Sequence, residues 1–304
     1  MADQQTWTVK RILTWTCGYL ERKGDKHPRL SAEWLLSATT GLSRVELYTN
    51  FDKPLTRDEL DRMHTAVEQR ASGRPLQYVT GEMPFRHIVL KCEPGVLIPR
   101  PETEILVDAA LEGIDAAAER RGSFDALRVL EVGVGSGCIA LSIASERPGV
   151  EVTATDIAPA AISLAERNRD ALGLTDHVTI VECDLAAGVP EELAQTFSVL
   201  VSNPPYIPTE VLKDQVPSEV KDYEPRLALD GGTDGLDVYR RLLKEANRML
   251  APGGMLCVEL YEGHLAQAAE LARAAGAWER IQVREDLTHR PRILIAYRKE
   301  QAQG

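Results

Sequence analysis

From Arg128 onward, short apolar runs alternate with helix-length segments, and this alternation narrows the folds open to the chain more than any other feature. Strands are expected at 128–132, 151–155, 178–182, 197–201, 254–260, 280–284 and 293–297, with helices between them at 138–146, 159–172, 236–250 and 265–275. Pro159 suits a first helical position and Gly173 a helix stop. Strands that alternate with helices imply a mostly parallel, seven-stranded sheet covered on both faces, an α/β architecture. The stretch from Ile207 to Asp234 interrupts the rhythm. It is long, bears prolines and glycines, and reads as a functional loop.

The first 75 residues differ. Apolar side chains recur at helical spacing in a helix between Trp7 and Lys23, and Ser31 is placed to cap a second that ends at Gly41. A short third helix is expected over 43–49. Thr56 and Glu59 form a capping box for a fourth, which Gly73 and Pro75 end. Between 76 and 99 the period changes. Tyr78, Val79, Phe85, Ile88, Val89 and Leu90 sit among Gly81, Pro84, Pro94 and Gly95, which suggests strands or a hairpin. The expected organisation is therefore a helical bundle at 1–75, a β-hairpin linker at 76–99 and an α/β domain at 100–304.

Composition excludes several classes. The formal net charge of −11 over 304 residues disfavours a non-specific grip on nucleic acid or an anionic membrane. No run approaches the roughly 20 apolar residues of a membrane span. Residues 1–10 carry Asp3 and two glutamines without an apolar stretch, so no signal peptide is expected there. The five cysteines are scattered, which suits thiols in the cytoplasm and no metal site.

Chemistry is concentrated at strand ends. The first strand of the alternating region runs through Glu131 into Gly133-Val134-Gly135-Ser136-Gly137, a glycine turn that lets backbone approach a ligand. Its spacing is not that of a dinucleotide fingerprint. Asp156 ends the next strand, where it can accept from ribose hydroxyls. Asp184 ends the one after, where it can accept from an adenine amine, with Leu185 beside it to cover the base. Glu131 is suited to a ligand ammonium. An adenosine joined to an amino acid, as in S-adenosylmethionine, meets these groups. The local alternative is that the glycines only make a turn and that Asp156 only caps the helix at Pro159.

Asn203-Pro204-Pro205-Tyr206 follows the 197–201 run. Two prolines cannot continue a sheet, because each lacks an N–H and has a fixed φ. They hold rigid backbone at the carboxyl end of a strand, the edge at which open α/β sheets bind ligands. A side-chain amide, a fixed carbonyl and an aromatic ring suit a planar –NH2 group.

Together these residues resemble a class I, Rossmann-like S-adenosylmethionine-dependent methyltransferase acting on amino nitrogen. Further stretches are Gln77-Tyr78-Val79-x-Gly81, Leu97-Ile98-Pro99-Arg100-Pro101-Glu102-Thr103-Glu104, Gly135-Ser136-Gly137-Cys138-Ile139-Ala140-Leu141 and Glu224-Pro225-x-x-Ala228-Leu229-x-Gly231-Gly232-x-Asp234-Gly235-Leu236. With them the chain is similar, over nearly its whole length, to the peptide chain release factor glutamine N5-methyltransferases. The resemblance implies methyl transfer to the glutamine of the Gly-Gly-Gln motif in class 1 release factors, with S-adenosylhomocysteine as product. It implies a methyl-donor site at Gly133, Val134, Gly135, Ser136, Gly137, Asp156, Leu185 and Asn203. The substrate glutamine is then held by Asn203, Pro204, Pro205 and Tyr206, and Asn203, Pro204 and Tyr206 carry the catalysis. The N-terminal helical domain is then the one that engages the release factor.

Two positions depart from the family pattern: Glu131 replaces an aspartate, and Glu259-Leu260-Tyr261-Glu262 replaces an acid followed by Ile-Gly. Competing readings are a ribosomal-protein glutamine methyltransferase and a DNA adenine N6-methyltransferase. The latter would require a basic face for base flipping, which the net charge opposes. Arg100, Glu102 and Glu104 are equally readable as lining an entrance or as the start of a helix.

Overall fold

The computed structural model describes residues 6–286 and 288–300. The chain divides into two compact units, one of residues 1–82 with Pro217–Tyr223, the other of Met83–Val216 with Glu224–Gly304.

The larger unit is built on a seven-stranded sheet. Its strands are β3 (Arg128–Val132), β4 (Glu151–Asp156), β5 (Val178–Glu182), β6 (Phe197–Ser202), β7 (Leu250–Glu259), β8 (Trp278–Glu285) and β9 (Pro291–Arg298). They lie in the order β5-β4-β3-β6-β7-β9-β8. Pairings from β5 through β7 are parallel, and β9 is antiparallel to both β7 and β8. Side chains alternate between two apolar layers, as the period of two in a strand requires. Val129, Val199, Val201, Met255, Cys257, Ile293 and Ile295 face one. Leu130, Val132, Leu200, Leu256, Val258, Leu294 and Ala296 face the other.

The first layer is closed by α6 (Thr103–Arg121), α7 (Cys138–Glu146), part of α8 (Pro159–Ala171) and the hairpin β1 (Glu82–Phe85) and β2 (Ile88–Lys91). The second is closed by α11 (Asp237–Met249) and α12 (Leu265–Ala274). From β3 the chain winds outward through β4 and β5, then returns to place β6 on the other side of β3. The carboxyl ends of β3 and β6 thus flank the point where strand order reverses, the usual ligand crevice of such sheets.

The smaller unit packs α1 (Val9–Arg22), α2 (Pro28–Thr40), α3 (Arg44–Thr49), α4 (Arg57–Ala71) and α5 (Leu76–Thr80) around Leu13, Leu20, Leu35, Leu36, Leu47 and Met63. The capping box of Thr56 and Glu59 is present, with a second at Ser43 and Glu46. Within this unit Arg70 donates to Asp25 at 2.8 Å and to Glu219 at 2.7 Å. Burial works to raise the Asp25 pKa, but hydrogen bonds from Arg70, Ser31 and the His27 amide outweigh it and hold the carboxyl below its usual range.

Three local expectations are corrected. Residues 76–80 form a helix rather than a strand: Leu76 and Val79 pack on the helical core, and Gly81 ends the turn in a left-handed conformation, φ 80°. The hairpin begins only at Glu82. Ser31 does not cap α2, which already starts at Pro28; its hydroxyl donates instead to Asp25 at 2.7 Å. The loop after Asn203 carries α9 (Thr209–Asp214) and α10 (Ser218–Lys221). Helices this short leave no periodicity to read.

Candidate active site

The glycine turn and the Asn203 corner leave the sheet side by side because β3 and β6 are neighbours, with Val132 opposite Ser202. The Ser202 hydroxyl donates to the Val132 carbonyl at 2.6 Å and ties the two strand ends together. A cavity of about 220 Å³ opens there. Of the sequence-derived positions, Gly133, Gly135, Asp156, Asp184, Leu185, Asn203, Pro204 and Pro205 line it.

The turn is held by backbone hydrogen bonds. The amides of Gly133 and Val134 both donate to the Thr155 carbonyl at 2.8 Å, and the Gly135 amide donates to Asp156 Oδ2 at 2.9 Å. Asp156 Oδ1 accepts from the Ala158 amide at 2.9 Å. Asp156 therefore shapes the turn, and as a carboxylate it retains acceptor positions for further donors. At Gly135, φ is 53° and no atom lies within 4 Å of where a Cβ would sit. The backbone is exposed to the cavity there, with room for a ligand to approach.

Other predicted positions sit behind the wall. Val134 and Ser136 are buried, and Gly137 is the N-cap of α7. Glu131 is fully buried beneath the turn. Its Oε2 accepts the Ala140 amide at 2.8 Å, while Oε1 has no partner. Burial raises the Glu131 pKa well above the carboxylate range, and the nearby Asp156 charge adds to this. Tyr206 does not line the cavity; its ring packs against the apolar layer of α11 and α12. Burial pushes its phenol upward as well.

Asp184 is paired with Arg241 of α11, whose guanidinium lies 2.5 Å from Oδ2. Leu185 holds φ at 52°, a conformation that costs a side-chain-bearing residue about 1–3 kcal/mol. Sequence reading missed Val96, Ile157, Leu227, Val238 and Arg241, which also line the cavity. Ile157 is 51% exposed although strongly apolar, a signal visible only once the fold is known.

Asn203 is anchored from the far side. Its Nδ2 donates to the Thr103 hydroxyl at 3.2 Å, and that hydroxyl donates to Glu259 Oε2 at 2.8 Å. Arg100 pairs with Glu224 at 2.5 Å, joining the loop before α6 to the loop after α10. Glu102 is the N-cap position of α6, and Glu104 lies in its first turn. Among the described residues no cluster of His, Cys, Asp and Glu could hold a metal ion, and no helix is long and apolar enough to cross a membrane.

The sheet order, the glycine turn and the acid at the end of β4 define a class I methyltransferase fold. The hMettl16 catalytic domain, solved in complex with MAT2A 3'UTR hairpin 6, shares that fold at 15% identity and a TM-score of 0.55, over 81% of this chain and 82% of that one. Residues 11–81 match the PrmC N-terminal domain and residues 116–221 the methyltransferase small domain. The release factor glutamine methyltransferase of Moorella thermoacetica is 40% identical over 97% of this chain and 100% of its own length. That of Geobacter sulfurreducens is 46% identical over 84% of this chain and 85% of its own. This chain belongs to the release factor glutamine methyltransferase family.

Proposed function

We propose that the protein transfers a methyl group from S-adenosylmethionine to the side-chain amide nitrogen of the Gly-Gly-Gln glutamine in a class 1 release factor. The observation that carries this reading is the placement of Asn203 and Pro204 on the same cavity as Gly133, Gly135 and Asp156. The residues fit the donor. Asp156 offers acceptors for ribose hydroxyls, Ile157 and Leu227 offer apolar cover for a base, and beneath the turn the buried Glu131 Oε1 has a hydrogen-bonding position still unfilled. When bound, S-adenosylmethionine supplies a methyl activated by attachment to a sulfonium.

An amide nitrogen is a poor nucleophile because its lone pair is delocalised into the carbonyl. Asn203 Oδ1 and the Pro204 carbonyl accept its two N–H bonds. They orient the nitrogen, favour pyramidalisation and stabilise the positive charge that grows on it. The prolines keep that carbonyl fixed, and orientation of this kind is worth up to roughly 7–11 kcal/mol. The new N–C bond forms as the S–C bond breaks, and one N–H proton then leaves to solvent. No side chain need serve as general base, because an N-protonated amide is strongly acidic. The helical unit engages the release factor in this reading.

The test is to incubate the protein with labelled S-adenosylmethionine and a purified release factor, then locate the label by peptide mass. Label on the Gly-Gly-Gln glutamine is expected. Its absence, or label elsewhere, refutes the reading. Asn203→Ala is expected to lower turnover about 10²–10³-fold, the cost of losing one preorganised transition-state contact, while donor binding persists.

A further inference from the structure

We infer that Thr103 and Glu259 are positioning residues, forming a hydrogen-bond relay that sets which end of the Asn203 amide faces the substrate. The inference rests on the glutamine-methylating role just proposed for Asn203. Three residues from distant parts of the chain make up the relay. Thr103 opens α6, Glu259 ends β7, and Asn203 follows β6. Thr103 and Glu259 are each 1% exposed, so water does not compete for their hydrogen bonds.

The direction of the relay follows from counting protons. An ionised carboxylate can only accept. A threonine hydroxyl has one proton, and the 2.8 Å contact commits it to Glu259 Oε2. The hydroxyl oxygen is then left only with lone pairs, so the part of Asn203 that meets it must be a donor. That is Nδ2, at 3.2 Å. Oδ1 is therefore the end that remains for a substrate N–H. Without the relay the two ends of the amide are nearly equal in shape, and the flipped form would set an –NH2 against the –NH2 it has to bind.

The relay is sensitive to the charge of Glu259. Once protonated, Glu259 can donate to Thr103, whose own proton is then free to point at Asn203, and the flipped amide becomes the better partner. The titratable and charged groups around Glu259 are Arg292 on β9, Arg100 and Glu102 ahead of α6, Tyr206 after β6 and Cys138 at the start of α7. Burial raises the Glu259 pKa, the Thr103 hydrogen bond and Arg292 lower it, and the balance stands at about 7.

The experiment uses the full chain with S-adenosylmethionine and a release factor. It measures kcat, KM for the release factor, donor affinity by calorimetry and melting temperature for wild type, Thr103→Val, Thr103→Ser and Glu259→Gln. Thr103→Val is expected to lower kcat about 10–100-fold, as a misplaced reacting group does, with donor affinity and melting temperature near those of wild type. Thr103→Ser restores the hydroxyl and is expected to recover most of kcat. Wild-type kcat should fall as pH drops through about 7, and Glu259→Gln should lack that inflection. Wild-type kcat in Thr103→Val, equal losses in the Val and Ser variants, or an unchanged pH profile in Glu259→Gln each overturn the relay. If Thr103→Val fails to fold, the Ser variant and the Gln pH profile decide. A wild-type protein that methylates no release factor overturns the functional reading and the relay with it, whereas an active wild type with an unaffected Thr103→Val overturns the relay alone.

Discussion

Replacing Gly231 by alanine is expected to damage the catalytic corner without substituting any residue assigned to the substrate. A Cβ at this position would sit 2.8 Å from three backbone atoms: the Gly235 carbonyl oxygen, the Pro205 carbonyl oxygen and the Tyr206 Cα. Ordinary contact begins at 3.4 Å, so each must give by about 0.6 Å. None is the end of a flexible side chain. The strand-like pairing of this segment also resists movement, since the Gly231 amide donates to the Ile207 carbonyl at 2.8 Å and the Ile207 amide to the Leu229 carbonyl at 2.9 Å. Overpacking of this kind costs roughly 1–3 kcal/mol, and each kcal/mol lowers the melting temperature of a unit this size by about 2–4 °C. Pro205 and Tyr206 adjoin the carbonyl that is to hold the substrate amide. A shift approaching 1 Å there is expected to lower kcat by roughly 10–100-fold. Methyl transfer to a release factor, measured beside a thermal melt, reads both effects. Gly18→Ala is the control: it lies within α1 with its nearest neighbour, the Arg22 side chain, at 3.5 Å. It should leave turnover intact and stabilise by up to about 1 kcal/mol. A Gly231→Ala protein with wild-type kcat and melting temperature would show that the close approach does not constrain the corner.

Glu259→Gln should reshape stability against pH. The folded-state pKa, about 7, lies above the ordinary glutamate value of 4.5, so the acid's contribution is fully present below pH 4.5 and lost as pH rises through 7. Relative to the glutamine variant, wild type should lose on the order of 3 kcal/mol over that window; a flat difference in denaturant titrations at several pH values would contradict it. Asp156→Ala removes the acceptor that holds the Gly135 amide, and calorimetry should show donor affinity at least about 10-fold weaker, the loss expected for a charged hydrogen-bond acceptor. Arg70→Met leaves the carboxylates of Asp25 and Glu219 without their shared guanidinium. It should destabilise the helical unit by roughly 1.5–3 kcal/mol, read as earlier loss of amide protection in α1, α2 and α4 by hydrogen exchange.

Much of the larger unit is legible in the sequence because its central strands, β3 and β6 among them, are buried on both faces. Phe197 to Val201 reads as an apolar run broken only by Ser198 for that reason, and α7 is bounded by Gly137 before it and the half-buried Arg147 after it. Residues 76–80 mislead because Tyr78 and Val79 favour strands locally, while packing against the helical core decides the outcome. At the site, Gly135, Asp156 and Asn203 are legible because each lies at or just past the end of a strand and carries its chemistry locally. The partnership of Asn203 with Thr103 and Glu259 is not. Its members stand more than fifty residues apart, and only the order of β6 and β7 and the entry of α6 bring them together. Arg241 escapes for the same reason: nothing in its neighbourhood along the chain announces Asp184.

The helical unit is not a contiguous stretch of chain, since Pro217–Tyr223 belongs to it and supplies Glu219 to Arg70 and the Tyr223 hydroxyl to the Ser72 carbonyl. During synthesis, residues 1–82 emerge roughly 140 residues before that final piece, an interval on the order of ten seconds at about 5–20 residues per second. The nascent bundle must wait that long with its Arg70 guanidinium bonded to Asp25 but lacking its second carboxylate partner, Glu219. A truncated protein ending near residue 82 would lack the piece permanently, so it is a poorer stand-in for the intact bundle than the boundary alone suggests.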